Sequence, residues 1–199
     1  YRFQVGDSTS YSVTQTFMRI GVLGLGRVGT CLARALCAAG QPLAAVASRR
    51  AQTSDAMAQQ LGAGVEAVSP AELGRHAELI FVAVPDVHVH ACSADLPLTA
   101  AHAAGHLSGA VDLTALTAVG GRGAKLGVMH PLQAFPHNAE ADRFVGIHIG
   151  VEADDAGLER ELKSIVAALG AQDFSLHGVD RAAYHAAAEA RIGEERAGT

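Results

Sequence analysis

A glycine-rich turn carries the strongest chemical signal in this sequence. Its six residues are Gly24, Leu25, Gly26, Arg27, Val28 and Gly29. The turn follows a short apolar run that is typical of a buried strand, and it precedes apolar residues at helical spacing. In that setting the first glycine permits a tight turn, the second lets a pyrophosphate approach the backbone, and the third lets helix and strand pack closely. We predict that these residues bind a dinucleotide cofactor; the alternative is a structural turn without a ligand.

The end of the second predicted strand indicates which dinucleotide is bound. Proteins that bind NAD commonly place an acidic residue about 20 residues after the glycine turn, where it holds the ribose hydroxyls. Here the strand is followed by Ser48, Arg49 and Arg50, and the next acidic residue is Asp55. Guanidinium groups pair well with phosphate oxygens, so these residues favour the 2′-phosphate of NADP(H), with NAD(H) the less favoured cofactor. The alternative is that both arginines are solvated loop residues.

The segment after the fourth predicted strand is a further candidate for cofactor binding. Val84 and Pro85 end this strand at the carboxyl edge of the sheet, where folds of this kind bind their ligands. We predict that their backbone forms a wall beside the cofactor. Asp86 either shares this role or caps the helix that follows.

Two turns that contain histidine are candidates for a substrate site. His106 and Ser108 belong to the sequence HLSG, and His130 and Gln133 belong to HPLQ. Each turn is predicted just after a strand, so both would reach the same crevice at the edge of the sheet. There a histidine could donate or accept a proton, while Ser108 and Gln133 could orient a carbonyl or carboxylate group. The alternative for each histidine is a structural hydrogen bond.

Neither the remaining histidines nor the cysteines predict a metal site. His88 and His90 are two residues apart, and on a helix such residues do not face the same way. The three cysteines are Cys31, Cys37 and Cys92, an odd number without a CxxC motif. They are expected to be the reduced thiols of a cytoplasmic protein rather than a disulfide framework or zinc ligands.

The predicted elements alternate between strands and helices. In the first half, strands are predicted at residues 19–23, 43–47, 65–68 and 79–84, with a helix after each of the first three. In the second half, strands are predicted at residues 102–107, 125–129, 144–151 and 173–176, and helices at 86–96, at 112–119, at 154–169 and from Asp180. Such alternation is typical of an α/β fold with a doubly wound, mainly parallel Rossmann sheet and helices on both faces.

The net charge and the length of the apolar runs limit the kinds of partner that this protein is expected to bind. The 199 residues carry a net charge of −5, which disfavours nucleic acid or an anionic membrane surface as the main partner. No run approaches the roughly 18 apolar residues of a membrane span, so none is expected. Residues 1–17 are polar and lack the features of a signal peptide. We expect them to be a disordered extension outside the fold.

The motifs, taken in chain order, resemble those of one family. They read GLGRVGT, VASR, FVAVPD, HLSGA, HPLQAF and YHAAA. This order is similar to that of the Rossmann-like proteins with a DUF2520 C-terminal domain, which are relatives of the F420-dependent NADP oxidoreductases and the pyrroline-5-carboxylate reductases. The resemblance covers about residues 18–188, and HLSG followed by HPLQ is its more specific part. It implies a nicotinamide-binding domain and then a helical domain that contributes to the active site and to dimer formation.

The end of the chain departs from that family pattern. After YHAAA the family continues as an apolar helix that reaches an Asn, whereas residues 189–199 here are charged and then stop. We therefore expect a Rossmann domain at residues 18–178 and a truncated remnant of the helical domain at residues 179–199. The cofactor site would be whole, while the substrate site would lack the groups that the helical domain supplies. A homodimer is a candidate assembly.

Two functions remain open at this point. The first is an NADP-dependent oxidoreductase that transfers hydride between the cofactor and a small carbonyl or imine substrate, such as a 2-keto acid, with His130 or His106 as proton donor. Some relatives resemble ketopantoate reductases in activity. The second is a non-catalytic NADP(H)-binding module or sensor without a complete active site.

Overall fold

Eight strands form a single sheet. The computed structural model describes residues 17–62, 64–136, 139–181, 183, 184 and 186, so the predicted extension up to residue 16 and the tail from residue 187 lie outside the described residues. The strands are β1 Ile20–Leu23, β2 Leu43–Ala47, β3 Glu66–Ala67, β4 Leu79–Val82, β5 Ala103–His106, β6 Lys125–Pro131, β7 His148–Ala153 and β8 Gln172–Ser175. Across the sheet their order is β3-β2-β1-β4-β5-β6-β7-β8.

The sheet is mainly parallel, as the alternating pattern predicts. Strands β1 to β6 all run the same way, in the order 3-2-1-4-5-6 of a dinucleotide-binding fold. Strand β7 is antiparallel to β6, and β8 is parallel to β7. The predicted fold class, a doubly wound α/β Rossmann sheet, is confirmed.

Helices cover both faces of the sheet. They are α1 Arg27–Ala38, α2 Ala51–Leu61, α3 Leu73–His76, α4 Asp86–Ala94, α5 Thr117–Gly120 and α6 Ala156–Ala168. Buried side chains of α1, α2 and α6 pack in one cluster on one face, and those of α3, α4 and α5 pack in a second cluster on the other. Strand β1 serves both clusters, because Ile20 and Val22 point to the first and Leu23 to the second. A strand buried on both faces must be apolar throughout, which explains the continuous apolar run.

The strand order reverses between β1 and β4, and this switch point positions the site. Helix α1 leaves β1 towards one face of the sheet, and α4 leaves β4 towards the other. The loops at the carboxyl ends of the two strands therefore diverge and leave a crevice between them.

The predicted strand at residues 144–151 begins too early. Strand β7 starts at His148, and Phe144 instead ends a 3-10 turn, Ala141–Phe144. Phe144 is fully buried, with its ring centroid 5.1 Å from that of Phe135. A buried side chain of a loop thus extends the alternation of apolar and polar residues beyond the start of the strand.

The sixth strand extends further than its sequence pattern predicts. It includes His130 and Pro131, which pair with Gly150 and Ile149 of the antiparallel strand β7. The pairing of β6 with β5 ends at Val128. Pro131, which has no N–H to donate, therefore lies beyond the hydrogen bonds between these two strands. His130 therefore lies within the strand, and not just after it as predicted.

Candidate functional site

Two glycines of the turn are required by packing alone. Gly24 has a φ of +97°, and a Cβ there would lie 2.7 Å from the carbonyl oxygen of Ala83. A Cβ on Gly29 would overlap the carbonyl oxygen of Gly24. These glycines let the ends of β1 and β4 and the start of α1 come together.

Gly26 differs from its neighbours, since nothing in the fold fills the space beside it. Its φ is −77°, and apart from Gly26 itself and its neighbours in the chain no heavy atom of the described residues lies within 4 Å of the position that a Cβ would occupy. It is the N-cap of α1 and offers no side chain to the first N–H groups of the helix, and the first turn holds no acidic residue. Helix N-termini of this kind attract anions. The open space and the unopposed helix dipole fit a pyrophosphate group.

A cleft of about 260 Å³ joins this turn to the neighbouring strands. Its wall includes Gly26, Arg27 and Val28 from the turn, and Val84 and Pro85 from the loop after β4. Leu25, which does not line the cleft, packs against the core. The structure therefore brings five of the eleven residues predicted to bind the cofactor to one cleft, at the switch point of the sheet.

The cleft also reaches the HLSG turn. Ser108 and Leu107 line it opposite the glycine turn, and Asp86 lines it at the start of α4. One predicted catalytic residue, Ser108, thus lies beside the predicted cofactor residues. Its hydroxyl oxygen accepts a hydrogen bond from the N–H of Ala110 at 3.1 Å.

A second cleft of about 260 Å³ lies at the end of β2. Ser48 and Arg49 line it, and Arg49 is exposed. Arg50 is also exposed, but it does not line the cleft; it is the N-cap of α2. The Ser48 hydroxyl donates to the carbonyl oxygen of Arg50 at 2.7 Å, so it orders the turn that carries both arginines.

The charges around this second cleft are mixed. Asp55 and Glu72 line the cleft with Arg49. Hydrogen bonds from Ser69 hold the pKa of Glu72 below its usual range, so this carboxylate stays charged at neutral pH. The arginines are therefore the groups that favour a phosphate here, and the two carboxylates oppose it.

His106 is held by hydrogen bonds at both ring nitrogens. Its Nδ1 accepts from the N–H of Ser108 at 3.2 Å, and its Nε2–H donates to the carbonyl oxygen of Asp112 at 3.1 Å, a tautomer assigned from these partners. The ring is completely buried, and burial lowers its pKa to about 4. At neutral pH His106 is an uncharged residue that braces the HLSG turn, which is the structural alternative raised by the sequence.

His130 contacts the same turn from the neighbouring strand. Its Nδ1–H donates to the carbonyl oxygen of Leu107 at 3.0 Å. A Cβ on Gly109 would lie only 2.5 Å from the ring, so this glycine allows the close approach. On its other side the ring packs edge-on against Tyr184, with centroids 5.6 Å apart. The two histidine-containing segments thus contact each other, although only the HLSG turn lines the cleft.

Gln133 is not brought to the site. Its side-chain oxygen accepts a hydrogen bond from the N–H of Ala134 at 2.9 Å, and it lines neither cleft. The extension of β6 through Pro131 carries the chain past the crevice before Gln133 is reached.

Sequence patterns missed a third cavity beside the first cleft. This cavity, of about 450 Å³, is lined by residues that include Asp86, Asp112 and Arg181. Arg181 belongs to no motif, and only the fold brings it next to the start of α4. The segment that follows Asp180 is called the terminal segment. Its described residues, Arg181, Ala183, Tyr184 and Ala186, are helical as predicted.

The described part of the chain has neither a cluster of metal-binding side chains nor a helix that could span a membrane. No group of three or more histidine, cysteine, aspartate and glutamate side chains there could hold a metal ion. Among the helices that the structure describes, none is long and apolar enough to cross a membrane.

Solved structures share this fold at low sequence identity. A Bacteroides fragilis protein proposed to be an NADP oxidoreductase is 23% identical with a TM-score of 0.74, and the match covers 90% of this chain and 68% of that one. A reductive aminase from Aspergillus terreus, solved with NADPH4, cyclohexanone and allyl amine, is 18% identical with a TM-score of 0.67, covering 92% and 63%. Prephenate dehydrogenase from Aquifex aeolicus, solved with hydroxyphenyl propionate and NAD+, is 12% identical with a TM-score of 0.69, covering 82% and 61%.

The chain spans about two thirds or less of the length of these structural neighbours. No curated protein sequence matches it. One family model does match, over residues 19–107, and its description is NADP oxidoreductase, coenzyme F420-dependent. The chain therefore has a Rossmann fold, and slightly less than half of it is similar to the coenzyme F420-dependent NADP oxidoreductase family.

Proposed function

We propose that this chain is the cofactor-binding part of an NADP(H)-dependent oxidoreductase. The observation that carries the proposal is the unfilled space at Gly26, in front of the N-terminus of α1 and open to the cleft at the switch point. The similarity of residues 19–107 to an NADP oxidoreductase family supports it. In this proposal residues 18–178 form the dinucleotide-binding domain, and the pyrophosphate lies against the backbone of the glycine turn.

The preference for NADP(H) over NAD(H) rests on Arg49 and Arg50. Both guanidinium groups are exposed at the end of β2, where the adenosine ribose of a bound dinucleotide would lie. Ser48 supports their turn through its bond to the Arg50 carbonyl oxygen. Structural neighbours solved with NADPH and with NAD+ both exist, so the preference depends on this chain's own arginines.

The proposed reaction is hydride transfer to or from a small carbonyl or imine compound, such as a 2-keto acid. The bound nicotinamide supplies or accepts the hydride. Ser108 lines the cleft and is proposed to orient the substrate. His130 contacts the same turn through the bond from its Nδ1–H to Leu107 and is proposed as the proton donor in its imidazolium form, which carries a second N–H on Nε2. His106 is proposed to position the turn instead, because both of its nitrogens are already bonded.

The finer family assignment is part of the proposal. The HLSG and HPLQ segments meet at His130, as a shared substrate crevice would require. This contact supports the assignment to the Rossmann-like proteins with a DUF2520 domain. A helical domain from residue 179 onward, and a homodimer built through it, remain proposals of the same kind.

The cofactor assignment is tested by replacing Arg49. The Arg49→Ala variant should bind NADPH about tenfold or more weakly, since it loses a charge-assisted contact to the 2′-phosphate, while NADH binding changes less than about twofold. Isothermal titration calorimetry with both cofactors measures this. Arg160→Ala, which removes an exposed arginine of α6 that lines neither cleft, is the matched control and should change neither affinity. Equal weakening of NADPH and NADH by Arg49→Ala would refute the assignment.

A non-catalytic NADP(H)-binding module is the second candidate. It is favoured by the lack of free catalytic groups at the cleft among the described residues, because both ring nitrogens of His106 are bonded and Gln133 lines neither cleft. Oxidation of NADPH in the presence of ketopantoate, other 2-keto acids and cyclic imines distinguishes the two functions. Turnover of any of them supports the enzyme, and tight NADPH binding without turnover supports the module.

A further inference from the structure

The cavity of about 450 Å³ adjoins the proposed cofactor cleft directly. Asp86, in the first turn of α4, lines both spaces. The other walls come from His90 of the same helix, from the segment after the HLSG turn, including Asp112, and from Arg181 of the terminal segment. A substrate that reacts with a cofactor in the cleft would therefore have this cavity as an adjoining space.

Among the described residues, Arg181 supplies the one guanidinium group in the wall of this cavity. Its side chain is 11% exposed, and Nη2 forms an ion pair with Glu152 of β7. Its Nη1 is buried and has no hydrogen-bond partner among the described residues. A buried guanidinium N–H without an acceptor is costly, and a carboxylate is the ligand group that best fits the planar donor edge of arginine.

The positive charge of Arg181 affects the ionisation of a neighbouring carboxyl group in the cavity wall. Hydrogen bonds from Thr114 are the main reason that the pKa of Asp112 lies below its usual range, and the charge of Arg181 contributes to the same shift. Both Asp112 and Asp86 are therefore placed to present carboxylates to a ligand bound at Arg181. A second anionic group on that ligand would be repelled, whereas an uncharged far end would not.

We propose that Arg181 binds the carboxylate of a small monocarboxylic substrate in this cavity, and that Asp86 and Asp112 exclude dicarboxylates and phosphate esters. This inference rests on the proposed function, since it places the reactive carbonyl or imine group of the substrate next to the cofactor cleft. It narrows the substrate class to 2-oxo or 2-imino monocarboxylic acids.

Ligand binding to the wild-type protein is the first test. Calorimetric titrations, with and without saturating NADPH, use 3-methyl-2-oxobutanoate, its neutral analogue 3-methyl-2-butanone, and the dicarboxylate 2-oxoglutarate. We expect the monocarboxylate to bind about tenfold or more tightly than either of the others. No binding of the monocarboxylate, or equal binding of all three, overturns the proposal.

Variants of Arg181 form the second test. Arg181→Gln should weaken binding of 3-methyl-2-oxobutanoate about tenfold or more, Arg181→Lys should weaken it less, and the surface control Arg160→Gln should leave it unchanged. NADPH affinity should stay within about twofold in all of them. Unchanged binding of the monocarboxylate by Arg181→Gln overturns the proposal. The double variant Arg181→Gln/Glu152→Gln, which leaves no unpaired carboxylate, repeats the measurement if the single variant does not fold.

Failure of this inference can be distinguished from failure of the proposed function. Wild-type protein that does not bind NADPH contradicts the cofactor site itself. Wild-type protein that binds NADPH but not the monocarboxylate contradicts only the role of Arg181.

Discussion

At the scale of single residues, the glycines of the turn have two different reasons to be there. Gly24 and Gly29 are needed by the fold, because side chains at these positions would collide with backbone oxygens. Gly26 is not needed by the fold, because the space beside it is open and its φ suits any residue. A glycine that packing does not require is best explained by something that must approach the backbone from outside.

His106 shows how a residue type that often takes part in catalysis can have a structural role. Its two hydrogen bonds tie Ser108 and Asp112 together across the turn that lines the cleft. Burial is the main cause of its low pKa, and it outweighs the opposing influence of the Asp112 carbonyl oxygen. The folded chain therefore resists protonation of this ring.

Stability should consequently fall as the pH is lowered. Between pH 6.5, the ordinary pKa of histidine, and about 4, the unfolded chain binds a proton at His106 that the folded chain does not. Unfolding is then favoured by up to roughly 3 kcal/mol at the acid end of this range, with no contribution from His106 above pH 6.5. Urea denaturation of wild type and His106→Gln from pH 7.5 to 4.5 measures this, and the variant should be less stable at neutral pH but less sensitive to acid. His88→Gln, at an exposed position of α4, should behave like wild type. Equal acid sensitivity of His106→Gln and wild type would disprove this account of His106.

The sequence could predict some site residues and not others, for a physical reason. The glycine turn and Ser108 lie in short segments whose local geometry is set by their own residues. Arg181 and Asp112 come together only through the packing of segments that are far apart in the chain. Their relation depends on tertiary structure, and no spacing in the sequence encodes it.

At the scale of elements, helix α6 stabilises the end of the sheet that lies away from the glycine turn. Helix α6 covers the last three strands on one face, and its Leu158, Leu162 and Ile165 are buried there. Gly127 of β6 lets the helix approach closely, because a Cβ there would lie 2.8 Å from the Cδ1 of Leu162. The cofactor turn lies on other elements, β1 and α1, so stability at this end can be changed without altering the proposed binding surface.

Leu162→Ala should therefore separate stability from binding. Removing this fully buried side chain leaves a cavity under α6 and should cost about 2–5 kcal/mol in the free energy of unfolding. NADPH affinity, measured where the variant remains folded, should stay within about twofold of wild type. The matched control is Lys163→Ala, which shortens a partly exposed neighbour and should change stability by less than about 1 kcal/mol. A large loss of NADPH affinity in folded Leu162→Ala would show that α6 supports the cofactor site.

Element prediction from sequence succeeds where periodicity is strong and local. Strand β1 and helix α6 have continuous or evenly spaced apolar residues, and both lie where predicted. The predicted start of β7 is wrong because Phe144 is a buried residue of a loop. The predicted end of β6 is too early because His130 and Pro131 become part of the strand only by pairing with β7. Long-range pairing is the information that a local pattern lacks.

At the scale of the whole molecule, the proposed functional features lie at the carboxyl ends of the parallel strands. The cofactor cleft joins the loops after β1, β4 and β5, and the cavity at Arg181 adjoins it through Asp86. Strand alternation in the sequence predicts a doubly wound sheet and hence this edge as the ligand-binding edge. The alternation does not predict that β7 runs antiparallel to β6. Glu152, which forms the ion pair with Arg181, lies on this antiparallel strand.

The central claim, that a dinucleotide binds in front of Gly26, is tested most directly by titrating NADPH into wild type and Gly26→Ala. The methyl group fits the folded chain, so the variant should melt within about 4 °C of wild type. It should bind NADPH at least about tenfold more weakly, since the methyl group occupies the space where the pyrophosphate meets the helix N-terminus. Equal NADPH affinity in the two proteins, or no binding by wild type, would contradict the claim.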